Sequence, residues 1–318
     1  MDARNRGVPA PPAKALARGN RLRQHARTVS ARILILANPI AGGGRSRRLA
    51  PELATILQSL GCHAEVYFTK AAGDAAARAR VAGPEPWDAL VAVGGDGTLN
   101  EVLNGMPDPT RPLGVLPVGT ANVLASEYRI PRSPRALAPV IASLRTTPHA
   151  IGLAGSRRFL LFCGAGLDAA IVEHLHHRRS GTLGKTKWLP SIGAIVHQWP
   201  QHTLRATLAD GEVLDDLSSV LVTRVRNYGG VARLPRHIDP ASDQLYVLCF
   251  RSRSRIAWAA MGLCAALGVL RSGRNLVMRT TREVLVLGNA PTQVDGDLGS
   301  RSPLRIGLHD VTARLLVP

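Results

Sequence analysis

The chain has 318 residues, 45% of them apolar, which is enough for one large or two ordinary packed domains. Its 40 basic and 22 acidic residues give a formal charge of +18, which favours a polyanionic partner. An aromatic content of 4% argues against a stacking platform for single-stranded nucleic acid, and four scattered cysteines indicate neither a disulfide framework nor a zinc knuckle. We therefore expect a globular protein in a reducing cytosol, and the charge leaves nucleic acid and an anionic membrane surface both open as partners.

Residues 1–30 form a basic, Pro-Ala-rich segment with seven basic residues and one acid, Asp2. Apolar periodicity and a signal-peptide core are both absent from it, so we predict a disordered tail. Contact with anionic lipid, a dispensable solvated extension and a misassigned start codon all remain open as explanations.

Strand and helix patterns alternate from residue 32 to about residue 147. Short apolar runs predict strands, and longer amphipathic stretches predict helices. The predicted order is strand Ile33–Ala37, helix Arg47–Leu60, strand Ala64–Thr69, helix Asp74–Ala82, strand Ala89–Val93, strand Leu113–Leu116 and helix Ser133–Leu144. This alternation indicates a doubly wound, mostly parallel sheet whose ligands bind outside the carboxyl ends of the strands.

Two glycine turns follow predicted strands at such carboxyl ends. In the stretch Val91–Glu101, Gly94, Gly95 and Gly97 would let bare amides approach an anion in conformations closed to other residues, and Thr98 would open a helix. The stretch Leu113–Ala125 repeats the plan with a Gly-Thr turn. We interpret both as phosphate-binding turns.

The pattern changes after about residue 148 to short strands with hairpin signals, which predicts an antiparallel β domain. The predicted strands are Ile151–Leu153, Phe159–Phe162, Thr203–Leu208, Ser219–Arg226, Leu245–Phe250, Glu283–Leu287, Leu304–Leu308 and Ala313–Val317. Ile256–Leu270 carries no charge and is too short to cross a bilayer comfortably, so we predict a buried helix rather than an interfacial one. Glu173–Trp199 mixes basic and aromatic residues in a way that suits a membrane interface.

Together the two glycine turns resemble those of the diacylglycerol kinase and sphingosine kinase family, in particular its bacterial lipid kinases. The resemblance extends over roughly residues 32 to 318, because further matching segments follow in the same order: Asn38-Pro39, Gly164–Ala169, Asn227–Gly230 and Val294–Asp297. It implies an α/β nucleotide domain over residues 31–147, a β-sandwich lipid domain over residues 148–318, and an active site in the cleft between them.

The resemblance also implies site residues. ATP would contact Asn38, Thr69, Gly94, Gly95, Asp96, Gly97, Thr98, Leu99, Asn100, Gly119, Thr120 and Asn122. Asp295 matches the Asp of the family's Asp-Gly-Glu motif and would be the general base, with Asp297 in place of the Glu, while Asp96 competes for the base role. A plain type I′ hairpin is the structural alternative for Asp295-Gly296.

A metal is implied at Asp243, which begins Asp-Gln-Leu where the family has an Asp-Gly-Leu segment that resembles a structural magnesium site. The missing glycine leaves open whether Asp243 still binds Mg²⁺. Val123 likewise follows Asn122 where the family more usually has an Asp.

Two other stretches resemble nucleotide-binding motifs, but each lacks a residue that its motif requires. Gly164–Ala169 has the spacing of a dinucleotide fingerprint, but no acidic residue follows about twenty positions later. Gly184-Lys185-Thr186 resembles the end of a P-loop, but Arg179 occupies the position of its first glycine.

The sequence therefore predicts an ATP-dependent, Mg²⁺-requiring lipid kinase that phosphorylates a hydroxyl of diacylglycerol or a similar membrane lipid. Such a kinase would be cytoplasmic, would meet an anionic membrane surface peripherally and would bind no nucleic acid. A soluble phosphotransferase of the NAD kinase type and a non-catalytic lipid or nucleotide sensor remain as alternatives. A homodimer is left open.

Overall fold

The computed structural model describes residues 30–177, 202–230 and 232–318. The predicted basic tail and the basic-aromatic segment beyond His177 lie outside these ranges. The N-terminal elements are β1 Arg32–Ala37, α1 Ser46–Ser59, β2 His63–Phe68, α2 Asp74–Val81, β3 Ala89–Gly94, α3 Asp96–Gly105, β4 Leu113–Pro117, α4 Val123–Glu127 and α5 Pro134–Ala142. They confirm the predicted α/β order.

Strands β1 to β4 are parallel and lie in the order β2-β1-β3-β4. Because β1 is apolar after Arg32 and β3 is apolar throughout, both faces of the sheet must be covered, and α1 packs against α5 while α2 packs against α3. The strand order reverses between β1 and β3, so the loops that follow these two strands flank the crevice in which doubly wound folds bind ligands.

The remaining elements are antiparallel strands with two helices. They are β5 Thr146–Ala154, β6 Arg157–Phe159, β7 Phe162–Ala165, α6 Leu167–His177, β8 Leu204–Leu208, β9 Val213–Leu217, β10 Ser219–Thr223, β11 Asn227–Tyr228, β12 Ala232–Arg233, β13 Leu245–Phe250, α7 Arg255–Ala266, β14 Leu276–Thr281, β15 Glu283–Leu287, β16 Thr292–Val294, β17 Asp297–Leu298 and β18 Leu304–Leu316.

Two sheets dominate the part of the chain that the structure describes. A six-stranded sheet runs in the order β14-β13-β10-β7-β16-β17 and packs on the antiparallel half of a ten-stranded sheet through a shared apolar core. The ten-stranded sheet is continuous with the N-terminal one, because β18 pairs with β4 in parallel and with β5 and β15 in antiparallel fashion. The predicted domain boundary at residue 147 falls inside β5.

Two strand predictions were wrong in how they divided the chain. Leu304–Leu308 and Ala313–Val317 are one strand, β18, in which a bulge between Leu308 and Thr312 absorbs the polar residues that had suggested a break. The predicted strand Phe159–Phe162 is shared between β6 and β7, because the chain turns at Leu160 and Leu161 to enter the second sheet.

The prediction of a buried helix at Ile256–Leu270 was also wrong. Helix α7 has no buried residue, and Ile256, Leu263 and Leu267 are 83%, 62% and 68% exposed. Only one side of the helix packs against the rest of the protein. On that side the Trp258 ring stacks on the Phe250 ring with 4.5 Å between their centroids. None of the helices that the structure describes is long and apolar enough to cross a membrane.

Helices α2 and α3 approach so closely that the glycine at the end of α3 is required. A Cβ at Gly105 would lie 2.1 Å from the carbonyl oxygen of Ala76, whereas a Cβ at Gly97 of the same helix would meet nothing within 4 Å. Gly105→Ala should therefore lower the free energy of unfolding by about 1–3 kcal/mol. Gly97→Ala is the matched control and should leave stability unchanged or raise it by up to about 1 kcal/mol. Urea titration of both variants measures the difference, and equal midpoints would contradict the close helix contact.

Candidate active site

The two glycine turns lie against each other at the carboxyl edge of the parallel sheet. The Val118 amide donates to the Gly94 carbonyl at 2.9 Å, and a Cβ at Gly119 would lie 2.5 Å from the Gly95 Cα. A side chain at Gly119 would therefore force the turns apart. The two predicted phosphate-binding turns form one continuous backbone surface.

The predicted reason for the glycines of the first turn needs correction. Gly94, Gly95 and Gly97 all have negative φ, so none of them needs a left-handed conformation. Close approach explains Gly94 instead, because a Cβ there would lie 2.4 Å from the Thr98 hydroxyl oxygen. Helix α3 also begins at Asp96, not at Thr98 as predicted.

Asp96 joins the first turn to the second. Its carboxylate accepts the Val123 amide at 2.9 Å and the Leu124 amide at 3.3 Å, which are the first two amides of α4. Burial raises the pKa of the Asp96 carboxyl, and these amide donors oppose the rise. Both oxygens are therefore engaged in capping α4, which leaves this competing base candidate poorly placed to receive a proton.

The second turn ends at Asn122, a buried residue with a left-handed backbone, φ 48°. Its side-chain amide donates to the Gly119 carbonyl at 2.7 Å, but its Oδ1 has no hydrogen-bond partner among the described residues. A buried oxygen without a partner is costly unless a ligand satisfies it. The neighbouring Thr120 is exposed and could reach a ligand from solvent.

A third loop, which the sequence interpretation missed, completes this edge. Gly42, Gly43 and Gly44 follow β1 with φ of 63°, 67° and 86°. A Cβ at Gly42 would lie 2.6 Å from the Val118 carbonyl oxygen, so the loop touches the second turn. Next to it, Arg45 donates to the Gly42 carbonyl at 3.0 Å, and the hydroxyl of Ser46, buried at the start of α1, has no partner among the described residues. The run of three glycines after a strand was the available signal.

The other predicted nucleotide residues fall at strand ends or in the core. Asn38 follows β1, and its Oδ1 accepts the Ile40 amide at 3.1 Å, so this oxygen shapes its own loop. Thr69 follows β2 and donates its amide to the Ala37 carbonyl at 2.9 Å. The Leu99 side chain is buried in the core, and its amide donates to the Gly95 carbonyl, so neither group faces a ligand.

Asp295 occupies a type I′ hairpin between β16 and β17, since Asp295 and Gly296 have φ of 49° and 85° and Val294 pairs with Asp297. Its carboxylate is buried and accepts four donors at 2.8–2.9 Å: the amides of Leu160, Leu161 and Phe162, and the side chain of Asn100. Burial raises its pKa to about 6, against the effect of these donors. The hairpin geometry and a buried, hydrogen-bonded carboxylate therefore occur together.

Asn100 connects the α/β half to the β half. From α3 its amide donates to Asp295 at 2.8 Å and to the Arg158 carbonyl at 3.0 Å, while its Oδ1 accepts from Arg157 at 3.1 Å. Arg157 also donates to Asp297 at 2.5 Å. The Asp297 side chain is 45% exposed, so it is the less committed carboxylate of the hairpin.

A further polar cluster adjoins the hairpin. Asp168, at the start of α6, accepts hydrogen bonds from the Tyr228 hydroxyl and the Gln293 amide, and burial raises the pKa of its carboxyl. Gln293 in turn accepts the Gly296 amide at 2.8 Å. Asp168 and Tyr228 lie in two of the segments on which the family resemblance rested, but neither residue was predicted as a site residue.

The geometry at Asp243 does not fit the predicted magnesium site. Its side chain is 76% exposed and accepts from Arg282 at 3.3 Å. The carbonyls of Pro240, Ser242 and Gln244 around it accept from the buried guanidinium of Arg224, whose pKa burial lowers to about 10. A protein cation therefore already occupies the oxygen ligands of this loop. No group of three His, Cys, Asp or Glu side chains that could hold a metal ion occurs among the described residues.

Residues 32–154 match the family model of the diacylglycerol kinase catalytic domain. This region, which is less than half of the chain, is similar to the diacylglycerol kinase catalytic domain family. Diacylglycerol kinases of Staphylococcus aureus strains bovine RF122 / ET3-1 and MRSA252 are each 37% identical to the chain over 137 residues, which are 42% of this chain and 44% of each relative. The match thus spans less than half the length of these relatives.

Solved structures resemble the fold over most of the chain. Two are a protein from Bacillus anthracis str. Sterne proposed to be a diacylglycerol kinase, with a TM-score of 0.75 at 20% identity, and a diacylglycerol kinase from the same organism, with a TM-score of 0.70 at 19% identity. Each comparison covers 91% of this chain and 97% of the other. At these identities the likeness establishes the shared fold, including the β half that lies beyond the family match.

Asp96→Asn tests whether this carboxylate organises the second glycine turn. Asparagine keeps one acceptor oxygen but turns an NH₂ group toward an amide donor, so the start of α4 should loosen. We expect a loss of about 1–3 kcal/mol in the free energy of unfolding and weaker ATP binding, measured by urea titration and calorimetry. Asp310→Asn is the control, because Asp310 is exposed. Asp88→Asn is unsuitable, because Asp88 accepts the Arg32 amide. Unchanged stability and ATP affinity in Asp96→Asn would contradict the capping role.

Proposed function

We propose that the protein is an ATP-dependent lipid kinase that transfers the γ-phosphate to a hydroxyl of diacylglycerol or a similar membrane lipid. The observation that carries the proposal is the Asn100 side chain, which begins on the helix of the phosphate-binding turn and donates to the buried hairpin carboxylate at 2.8 Å. Phosphoryl transfer needs a phosphate cradle beside a carboxylate that can receive a proton. This contact supports the proposal because it joins the helix of the glycine turn to the hairpin carboxylate.

The nucleotide would lie along the carboxyl edge of the parallel sheet. Glycine backbone at Gly42–Gly44, Gly94–Gly95 and Gly119 offers close approach to phosphates, and Arg45 brings positive charge. ATP would arrive with Mg²⁺, which neutralises charge on the transferred group and keeps most of its ligands from phosphate and water. The partnerless Oδ1 of Asn122 suits a contact to that ion or to a nucleotide donor.

Asp297 is better placed than Asp295 to accept the proton of the lipid hydroxyl. The four donors around Asp295 fill the acceptor sites of its carboxylate, so accepting a proton there would break at least one of these hydrogen bonds. Asp297 is half-exposed and accepts from Arg157 through one oxygen. In this proposal Asp295 positions the hairpin and Asn100, and Asp297 receives the proton.

The decisive experiment supplies the full chain with a total lipid extract, NAD and γ-labelled ATP and identifies the labelled species. Label in a lipid phosphate ester supports the kinase, and its chemistry names the acceptor class. Label transferred to NAD would support the soluble phosphotransferase. ATP binding by calorimetry without transfer to any lipid or to NAD would overturn the kinase proposal in favour of a sensor.

The two hairpin carboxylates should respond differently to substitution. Asp297→Asn removes an exposed proton acceptor, so kcat should fall by a factor of about 10² or more with the KM for ATP within a few fold. Stability should change little, because exposed ion pairs contribute at most about 1 kcal/mol. Asp295→Asn should cost about 2–3 kcal/mol of stability as well as activity, because a donor would then face backbone amides. Asp310→Asn, on the exposed part of β18, is the control.

The pH dependence of stability and of activity provides a second test of the role of Asp295. Its pKa of about 6 lies above that of an aspartate in the unfolded chain, so this group adds stability as pH falls through 6 toward 4. Activity should nevertheless fall below about pH 6, because protonation replaces an acceptor with an O–H among four donors.

Asp297→Asn with more than a third of wild-type kcat, together with Asp295→Asn at full stability and low kcat, would return the base role to Asp295.

A further inference from the structure

The exposed side of α7 has no part in the proposed chemistry. Ile256, Leu263 and Leu267 lie on one stripe at helical spacing, and Val269 beyond the helix is also 51% exposed. The opposite side of the helix, with Trp258, Met261 and Cys264, packs on the core. Large apolar side chains gathered on one exposed face indicate a contact surface.

The ionised side chains in the stretch of sequence that contains this face are all basic. Residues 244–282 contain seven arginines and no Asp, Glu or Lys. Arg236, Arg271 and Arg274 are exposed and make no ion pair within the described part of the chain. An apolar stripe beside unpaired arginines matches an interface of acyl chains under anionic headgroups.

We propose that α7 and the segment Leu267–Arg274 are a membrane-docking face that inserts into the surface of an anionic lipid bilayer. A second copy of this chain is the less favourable occupant, because a symmetric contact would bring two such arginine groups together without an acid from either face. An anionic leaflet supplies the missing negative charge. This inference concerns where the protein meets the membrane and does not depend on catalysis.

A groove connects this face to the six-stranded sheet. It has a volume of about 810 Å³ and is lined by Leu248, Leu267, Leu270 and Met278, with Arg236 and Arg271 among its polar residues. Groove and docking face adjoin, since Leu267 and Arg271 belong to both. A bilayer seated on α7 would therefore cover the opening of the groove with lipid.

The sheet register relates the groove to the candidate active site. Met278, Leu248, Leu221, Gly164 and Gln293 are successive cross-strand partners, so their side chains or Cα atoms lie in one row on one face. Three strand spacings separate Leu248 from Gln293, or about 14 Å. Gln293 contacts Asp168 and the hairpin of Asp295. Docking through α7 would thus bring the lipid surface to the sheet face that leads to the cleft carboxylates.

Vesicle partitioning of the full chain tests the docking face. The variant Ile256→Ser/Leu263→Ser/Leu267→Ser should lower the partition coefficient onto phosphatidylglycerol vesicles by more than about tenfold, because three apolar side chains no longer insert. The variant Arg271→Glu/Arg274→Glu should lower it by at least about 25-fold, since each basic residue near an anionic leaflet contributes about a factor of five. Binding to pure phosphatidylcholine vesicles should be weak for the wild type and for every variant.

The matched control changes the same residue types on the opposite half of the protein. Arg80 and Val81 are exposed neighbours on α2, and Arg80→Glu/Val81→Ser should retain wild-type partitioning. Circular dichroism checks that every variant is folded. If the α7 variants bind phosphatidylglycerol vesicles as tightly as wild type, the docking face is wrong and the basic tail or another surface carries the binding.

A local probe and an oligomer measurement separate the remaining outcomes. An environment-sensitive dye on Leu263→Cys, in a Cys264→Ser background, should shift to the blue on phosphatidylglycerol vesicles, while the same dye on Val81→Cys should not. The proposal would be overturned if the protein sediments with the vesicles and the dye at position 263 shows no blue shift. So would a wild-type dimer that the three serines dissociate with no loss of vesicle binding. Because the readout is binding, it is independent of whether ATP turnover is found.

Discussion

The buried carboxylate of Asp295 is the interaction on which the cleft depends. A carboxylate taken from water costs several kcal/mol unless hydrogen bonds replace its hydration. Here three consecutive amides, from Leu160 to Phe162, and the Asn100 side chain supply them. The amides lie where the chain passes from one sheet to the other, and Asn100 lies on the helix of the first glycine turn. One charge therefore fixes the junction of the sheets and their position relative to the nucleotide edge.

A second constraint is the contact between glycine backbones. Gly95, Gly119 and Gly42 pack where even one Cβ at Gly119 or Gly42 would overlap neighbouring backbone. Since Asp96 ties the first turn to the start of α4, the turns cannot move independently. Preorganisation of this kind matters because a phosphate cradle that had to form on binding would use part of the binding energy for its own ordering.

The sequence predicted the local features of this arrangement well and the non-local ones poorly. Continuous apolar runs identified β1 and β3, because strands buried on both faces allow little else. The exposure of α7 could not be predicted from its lack of charge, since burial requires a partner surface that only the tertiary fold supplies. The glycines after β1 were visible in the sequence but were not weighed, although a three-glycine run after a strand is a recognisable signal.

The role of Asp295 shows the same limit within the site. Asp-Gly between two strands predicts the hairpin, and the geometry confirms it. The family motif predicts a functional carboxylate at Asp295, which stays a prediction. The amides that fill its acceptor sites come from residues more than 130 positions away, so the sequence could not show that Asp295 is fully engaged while Asp297 is half-exposed. Similarly, Arg224 reads as one more arginine in a basic chain until its carbonyl partners are seen.

The distribution of charge follows from these contacts and bears on both anionic partners. Charges in the interior, such as Asp96, Asp295 and Arg224, are satisfied by backbone groups within the protein, so they contribute no attraction toward a membrane. The excess positive charge is left on the surface, where arginines around α7 face solvent. In the proposed function, phosphate recognition at the glycine turns would depend on fixed amides, whereas docking through α7 would depend on mobile charges that salt screens. Nucleotide binding should then be less sensitive to salt than binding to a lipid surface.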